Sequence, residues 1–363
     1  MDNLPVSNIL HRKTRTVLSA AGVALGVVLV VMTVGLAHGM LDDTGRRNAA
    51  VTAEIMFNPA GASFGLDLSP TLSLSADLAD KLKQVEGVSD AVPVARYVKG
   101  TLGGLVDGID YDGFTRVSPI RVIEGRPLAK AGDEVIIDQV LEHARKVKVG
   151  GSIEVFGRPF KVVGIYAPES LGRVKVPLAT LQTFVNRPGL CSMILVKVND
   201  PAQQDAVAQR IRSQFPENVL FFTRDLPALY QAGIPALNTF LNVVVALSIV
   251  ISGLIILLAM YTTVTERTRQ IGILKSMGAT KAWIAAEIQK EALLITLLGV
   301  MGGFAASAAG RYGVQHLTSL KIELQGVWLL YALGLGVVSG ALGAMYPALR
   351  AANQDPIKAL SYE

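Results

Sequence analysis

Glu266–Ala282 reads ERTRQIGILKSMGATKA. This short charged island separates two long apolar runs, Phe240–Thr263 before it and Ala292–Ala309 after it. Lipid cannot solvate such a patch, whereas the runs on either side need lipid. The island therefore has to form a loop on one face of a membrane. Its content points to a docking element.

Moving outward, four runs are long enough to span: Val17–Leu36, Phe240–Thr263, Ala292–Ala309 and Val327–Ala348. A span needs about 20 mostly apolar residues. One charge at the bilayer centre costs about 2.5–3.5 kcal/mol on insertion scales, and none of the four runs contains one. His11, Arg12, Lys13 and Arg15 precede the first run like the basic region of a signal peptide. That rival reading is weakened by the length of the run and by Ala37-His38-Gly39, a poor cleavage site. Basic residues also fill the island (Arg267, Arg269, Lys275, Lys281) and follow the last run (Arg350, Lys358). Residues 310–326 hold only Arg311 and Lys321. The positive-inside rule puts both termini and the island in the cytoplasm and residues 38–236 outside.

The chain has 363 residues, 51% of them hydrophobic, and a formal net charge of +5. The ends are more apolar than the middle, so the class is a membrane protein with a soluble insert. The basic excess lies beside the spans and reads as topology, not as a nucleic-acid footprint. Cys191 is the one cysteine, so no internal disulfide framework exists.

The expected divisions are an amphipathic cytoplasmic segment (1–16), a first span (17–36) and an outer domain (37–238). Then come a second span (239–263), a cytoplasmic coupling helix and turn (264–291), a third span (292–309), an outer loop (310–326), a fourth span (327–349) and a tail (350–363). Within the outer domain, strand-like Val51–Phe57 and Val88–Val98 flank a helical Ser75–Val85. The pattern recurs as Ser192–Val198, a helix at Asp200–Gln214 opened by an Asp cap and a Pro, and Val219–Phe222. One α+β subdomain built from 37–100 and 188–235 is the economical reading. Residues 101–187 hold short β-type runs at Leu102–Asp107, Glu134–Asp138, Ser152–Phe156 and Phe160–Tyr166. A turn is expected at Gly157-Arg158-Pro159 and a short helix at Leu141–Lys146. This piece reads as an inserted, mostly β subdomain.

Several chemistries are excluded. No G-x-x-x-x-G-K-[ST] occurs, so no phosphate-cradling loop is present. The four histidines are scattered and no H-E-x-x-H exists. No charged group lies inside a span, which argues against a carrier coupled to a buried carboxylate. No catalytic, cofactor-binding or metal-binding residue is expected. Three small-xxx-small pairs, Gly22/Gly26, Gly299/Gly303 and Gly336/Gly340, fit either packing within the chain or a dimer interface.

The island itself can make about three helical turns, with Ile271, Leu274 and Met277 as an apolar stripe. Gly278 suits a helix C-cap and Thr280 the next N-cap. This is a rigid lever joining two spans, or else a solvated loop with amphipathic flanks. The stretch closely resembles the E-R-x-x-E-I-G-I-x-x-A-x-G-A signature of MacB/FtsX-type ABC transporter permeases, matching at Glu266, Arg267, Ile271, Gly272, Ile273, Gly278 and Ala279. It departs at Gln270, usually Glu, and Ser276, usually Ala. Tyr346–Leu360 resembles the family's closing P-A-x-R-A-A-x-x-D-P-x-x-A-L. Glu124–Leu128, Gly132–Gln139 and Lys148–Tyr166 resemble its outer domain.

The resemblance implies a membrane α-helical fold with four transmembrane helices and an extracytoplasmic α+β domain, a porter-like βαβ pair plus the inserted β-rich piece. It implies a multi-pass protein of the bacterial cytoplasmic membrane and a permease dimer with two ABC ATPase subunits, ATP and Mg being held by those partners. The ATPase-coupling interface would comprise Glu266, Arg267, Arg269, Gln270, Ile271, Gly272, Ile273, Lys275, Gly278 and Ala279. Movement would pass through the membrane to the outer domain, for export or extraction of a substrate. The alternatives are an FtsX-like transmitter regulating a cell-wall hydrolase and a scaffold without transport. A periplasmic adaptor is a further candidate partner beside membrane lipids; nucleic acid is not.

Overall fold

The computed structural model describes residues 13–62, 72–99, 104–232, 235–317 and 326–355. In chain order, helix α1 (Lys13–Ala49) is followed by β1 (Ile55–Ala60), β2 (Leu74–Ser75), α2 (Leu78–Lys83) and β3 (Val88–Lys99). Then come β4 (Gly104–Ile109), α3 (Tyr111–Val117), β5 (Arg121–Gly125), β6 (Glu134–Asp138), α4 (Gln139–Arg145), β7 (Ser152–Val155) and β8 (Arg158–Ala167). The outer part closes with β9 (Val174–Pro177), α5 (Leu178–Phe184), β10 (Leu190–Cys191), β11 (Met193–Val198), α6 (Gln204–Gln214), β12 (Asn218–Phe222) and α7 (Leu226–Ala232). Among the described residues four more elements follow: α8 (Pro235–Glu266), α9 (Thr268–Ser276), α10 (Lys281–Leu317) and α11 (Gly326–Ala352).

Two units emerge, one dominated by residues 40–234 and the other by the long helices. In the outer unit, β12-β1-β11-β3 is an antiparallel run in which α2 links β1 to β3 through β2 and α6 links β11 to β12. That connectivity is the ferredoxin-like split βαβ. It joins the two patterns at either end of the domain into one subdomain. Side chains alternate across the sheet. Ile55, Phe57, Ile194 and Val196 enter a core under α2 and α6, while Met56, Met193 and Leu195 enter a second core with Phe114 and Val117 of α3. Both faces are buried, so these strands read as nearly continuous apolar runs.

Strand β3 does not stop at the subdomain edge. Its first half pairs with β11 and its second half, Ala95–Lys99, pairs with β4 on the other side. The inserted piece therefore continues the same sheet as β4-β9-β6-β8-β5, with β7 hairpinned to β8. The β7–β8 turn is Phe156-Gly157, both with positive φ, one residue earlier than the expected Gly-Arg-Pro. A two-residue loop with left-handed backbone at both positions matches the strand twist. Asp200 caps as expected, accepting the Ala202 N–H, although the first turn is 3₁₀.

Among the described residues, four helices are long and apolar enough to cross a membrane, one for each expected run. Helix α1 runs 37 residues without a break, about 55 Å at 1.5 Å per residue, past the expected end of the span at Leu36. In the helical unit, Val23, Val27, Ile256, Met260, Ile295 and Val300 share one interior. Phe240, Val243, Leu247, Val250, Leu254 and Leu258 are exposed along α8, as befits a face solvated by acyl chains.

The six paired glycines are used inside the chain. A Cβ on Gly22 would lie 2.8 Å from Ile255 of α8, and one on Gly26 would strike Ser252. Gly299 and Gly303 of α10 face Val23 and Val27 of α1, each at 2.7 Å. Gly336 and Gly340 of α11 face Val300 and Thr296 of α10. Each of these glycines lets two helices of one bundle approach closely, which is the packing reading of the three pairs. Expectations for residues 1–12, for most of 58–73, for the tip of 310–326 and for the tail beyond 355 lie outside the described residues.

Candidate coupling site

Helix α8 ends at Glu266, and Arg267 leaves helical geometry at φ −110°, ψ 15°. Helix α9 then starts afresh. The island is therefore a separate short helix of 9 residues. Its exit is a Schellman turn: the Gly278 N–H donates to the Lys275 carbonyl at 3.0 Å and the Ala279 N–H to the Leu274 carbonyl at 3.0 Å. Gly278 sits at φ +95°, where a side chain would be strained. Thr280 Oγ1 accepts the Trp283 N–H at 3.2 Å and caps α10.

The inner face of α9 is held firmly. Ile271 and Gly272 are buried against the bundle. Arg267 donates to Glu291 of α10 at 3.3 Å, and Glu291 is almost fully buried. Arg15 of α1 reaches Glu266 at 3.3 Å and Glu291 at 3.8 Å. Two cations and two carboxylates thus tie α1, α8 and α10 together at the junction where α9 begins. At the other end of α9, Lys275 Nζ donates to the Gln354 carbonyl. Burial, aided by the Lys281 charge, holds this amine below its ordinary range.

The outer face is different. Arg269, Gln270, Ile273, Ser276, Met277 and Gly278 are exposed. Ile273 is 43% exposed, Met277 71% and nearby Trp283 39%. A cavity of about 90 Å³ opens between α9 and α10, lined among others by Gln270, Leu274, Trp283 and Glu287. Three large apolar side chains thus stay exposed on an otherwise charged turn.

The ten sequence candidates therefore divide. Arg269, Gln270, Ile273 and Gly278 are exposed, and Ala279 and Lys275 are half-buried. Glu266 and Arg267 are anchors in the ion-pair knot, while Ile271 and Gly272 face inward. The reading of the island missed Arg15 and Glu291 as parts of this knot. A carboxylate at the very edge of an apolar run, as at Glu291, was the available signal.

Among the described residues no cluster of metal-ligating side chains exists.

Two family models match: the MacB-like periplasmic core domain over residues 16–214 and the FtsX-like permease C-terminal over residues 242–356. An uncharacterized ABC transporter permease of Bacillus subtilis, YknZ, is 26% identical over 99% of this chain and 98% of its own length. The macrolide export ATP-binding/permease protein MacB of Campylobacter jejuni is 25% identical over 98% of this chain and 60% of its own length. A probable export ATP-binding/permease protein of Pseudomonas fluorescens is 27% identical over 98% and 59%. The chain thus spans about three fifths of these fused relatives. Two solved structures also align: the periplasmic region of MacB from Actinobacillus actinomycetemcomitans, and the extracellular domain of YknZ. The first has a TM-score of 0.38, 17% identity and coverage of 49% of this chain and 92% of that one. The second has a TM-score of 0.35, 19% identity and coverage of 47% and 98%. With both family models matched in chain order, one over more than half the chain, the protein belongs to the MacB/FtsX-like ABC transporter permeases.

Proposed function

We propose that this chain docks a separate ABC ATPase through the exposed edge of α9 and the turn after it, and passes ATP-driven movement to its outer domain for export or extraction of a substrate. The observation that carries this reading is the two-sidedness of α9. One face is fixed to the bundle by Ile271, Gly272 and the Arg15–Glu266–Arg267–Glu291 knot. The opposite face exposes Ile273 and Met277. A helix rigidly tied on one side and sticky on the other transmits a push without absorbing it. The chain carries no phosphate-binding loop, which agrees with an ATP site held elsewhere. The positive-inside distribution of Lys and Arg supports an inner-membrane protein with both termini and α9 in the cytoplasm.

The test is reconstitution of the full chain with the ABC ATPase from the neighbouring reading frames, where such a gene is expected. Ile273→Asp and Met277→Asp each place a charge in the apolar contact and should weaken ATPase binding by tenfold or more, about 1.4 kcal/mol. Ile271→Ala should instead lower bundle stability and leave the contact chemistry intact. Unchanged binding in both aspartate variants overturns the assignment.

A further inference from the structure

The outer unit holds a connected set of buried charges. On the last turns of α1, Arg47 Nε donates to Asp43 Oδ2 at 2.9 Å. Asp43 also accepts from Arg173 Nη2 at 2.9 Å. Arg173 Nη1 continues to Asp138 at 2.7 Å and Glu169 at 2.8 Å. The neighbouring Asn48 donates to the Tyr230 hydroxyl at 2.7 Å and accepts from Arg96, itself paired to Asp107 at 2.9 Å. Asp43, Asn48, Arg96, Asp107, Asp138 and Lys175 are all buried.

These bonds converge on one loop, residues 168–173. Arg47 holds Leu171 twice: its guanidinium donates to the Leu171 carbonyl, and its own carbonyl accepts the Leu171 N–H at 2.9 Å. From the sheet side, the Gly172 N–H donates to Asp107 at 2.6 Å. Lys175 Nζ donates to the Ser170 and Gly172 carbonyls at 2.8 and 3.0 Å, and the Tyr166 hydroxyl donates to Gly172 O at 2.8 Å. Leu171 is fully buried, yet it sits in left-handed backbone at φ +51°. For a residue with a side chain, this geometry costs about 1–2 kcal/mol. It persists only where the surroundings over-determine it. Here the over-determining groups belong to two bodies, the end of α1 and the β4–β9–β6 sheet.

We propose that loop 168–173 is a latch that reads the position of the last turn of α1. In the latched state the Arg47–Leu171 pair and the Asp43–Arg173 bridge hold Leu171 in its strained conformation. All of these contacts on the α1 side lie within one helical turn, so a rotation or withdrawal of that turn breaks them together. Arg173 then keeps Asp138 and Glu169, the strain at Leu171 relaxes, and the inserted part of the domain separates from α1 as a unit. A hydrophobic joint would slide. A joint of directional bonds between buried charges has two discrete states. The latch stands whether or not α9 docks an ATPase.

The test is amide hydrogen exchange on the full chain in lipid nanodiscs, with no ATPase present. Arg47→Met keeps the stem and removes the guanidinium; Asp43→Asn is the gentler variant and keeps the shape. In both, exchange at residues 168–173 and at residues 44–49 should rise together, by about tenfold. Strands β1 and β11 should keep their protection. An unchanged loop in both variants overturns the latch. So does a loop that loosens alone, which would make it a local cap, and so does loss of protection across the whole outer unit.

Discussion

Lys175 is a cation inside the outer unit. It is wholly buried, lies 4.9 Å from the Phe114 ring centroid and 5.0 Å from that of Tyr166, and is 3.8 Å from Asp107. Asp107 takes its close ion pair from Arg96 instead, at 2.9 Å. Burial pushes the Asp107 carboxyl upward, but the Arg96 and Lys175 charges outweigh it and the group ends below the ordinary carboxylate value. Burial also acts on the Lys175 amine, and Asp107 does not compensate: the amine falls to about 8. The folded protein therefore binds fewer protons than the unfolded chain between about pH 8 and the ordinary lysine value near 10.4. This group's contribution to stability is smallest below pH 8, rises through that window and is complete above it. The full rise is on the order of 3 kcal/mol. Lys175→Met should abolish that rise, so wild type should gain on the variant between pH 7 and pH 10. Cys191, the one cysteine, is a built-in reporter: it is fully buried, and burial pushes its thiol up to about 12. Its alkylation rate in denaturant measures outer-unit unfolding. Parallel wild-type and variant curves across this pH range would refute the assignment.

At the scale of elements, the turn after α9 is the sharpest prediction. Gly278 needs its left-handed backbone for the Schellman turn. Gly278→Val should cost about 1–2 kcal/mol locally and raise amide exchange at residues 274–281, while α10 beyond Glu291 stays protected. Normal exchange at the turn would show that the backbone has another way to close. This cap was legible because Gly followed by Thr after an apolar stripe is a chemical signal. The direction of the stripe was not. Ile271, Leu274 and Met277 share helical spacing, yet Ile271 is buried and Met277 is 71% exposed. Periodicity names a face without saying how far the bundle extends along it. The same limit applies to the outer unit. Strands β1, β3, β6, β8 and β11 stood out through β-branched apolar runs, within a few residues of their ends. Strand β5 did not, because its side chains are mostly exposed on an edge and carry no alternation. The extension of α1 over His38–Ala49 was missed because its polar residues, Asp43, Arg47 and Asn48, are buried by partners far along the chain. Local sequence cannot show such partners.

For the molecule as a whole, two units with separate cores make separate stabilities expected. The helical unit is built on close contacts at glycine. Gly303 of α10 lies against Val27 and the Ala24 carbonyl of α1, where an added Cβ would come within 2.7 and 3.0 Å. Gly343 of α11 presses on the backbone of Gly253 in α8. Gly303 was visible in the sequence as half of a small-xxx-small pair, whereas Gly343 and Gly253 were not, and spacing alone could not distinguish a neighbour in the same chain from a second copy. Gly303→Leu should force α1 and α10 apart, at a cost of about 1–3 kcal/mol or more. The outer cores at β1–β11 and β6–β8 contain no residue of this contact. The variant should therefore lose detergent resistance and amide protection in α1 and α10 while Cys191 stays shielded from alkylation. If Cys191 becomes reactive in step with the loss of the bundle, the two units unfold as one cooperative body and the separation is wrong. If the bundle tolerates leucine at 303 without loss, α1 and α10 do not approach as closely as the glycine requires.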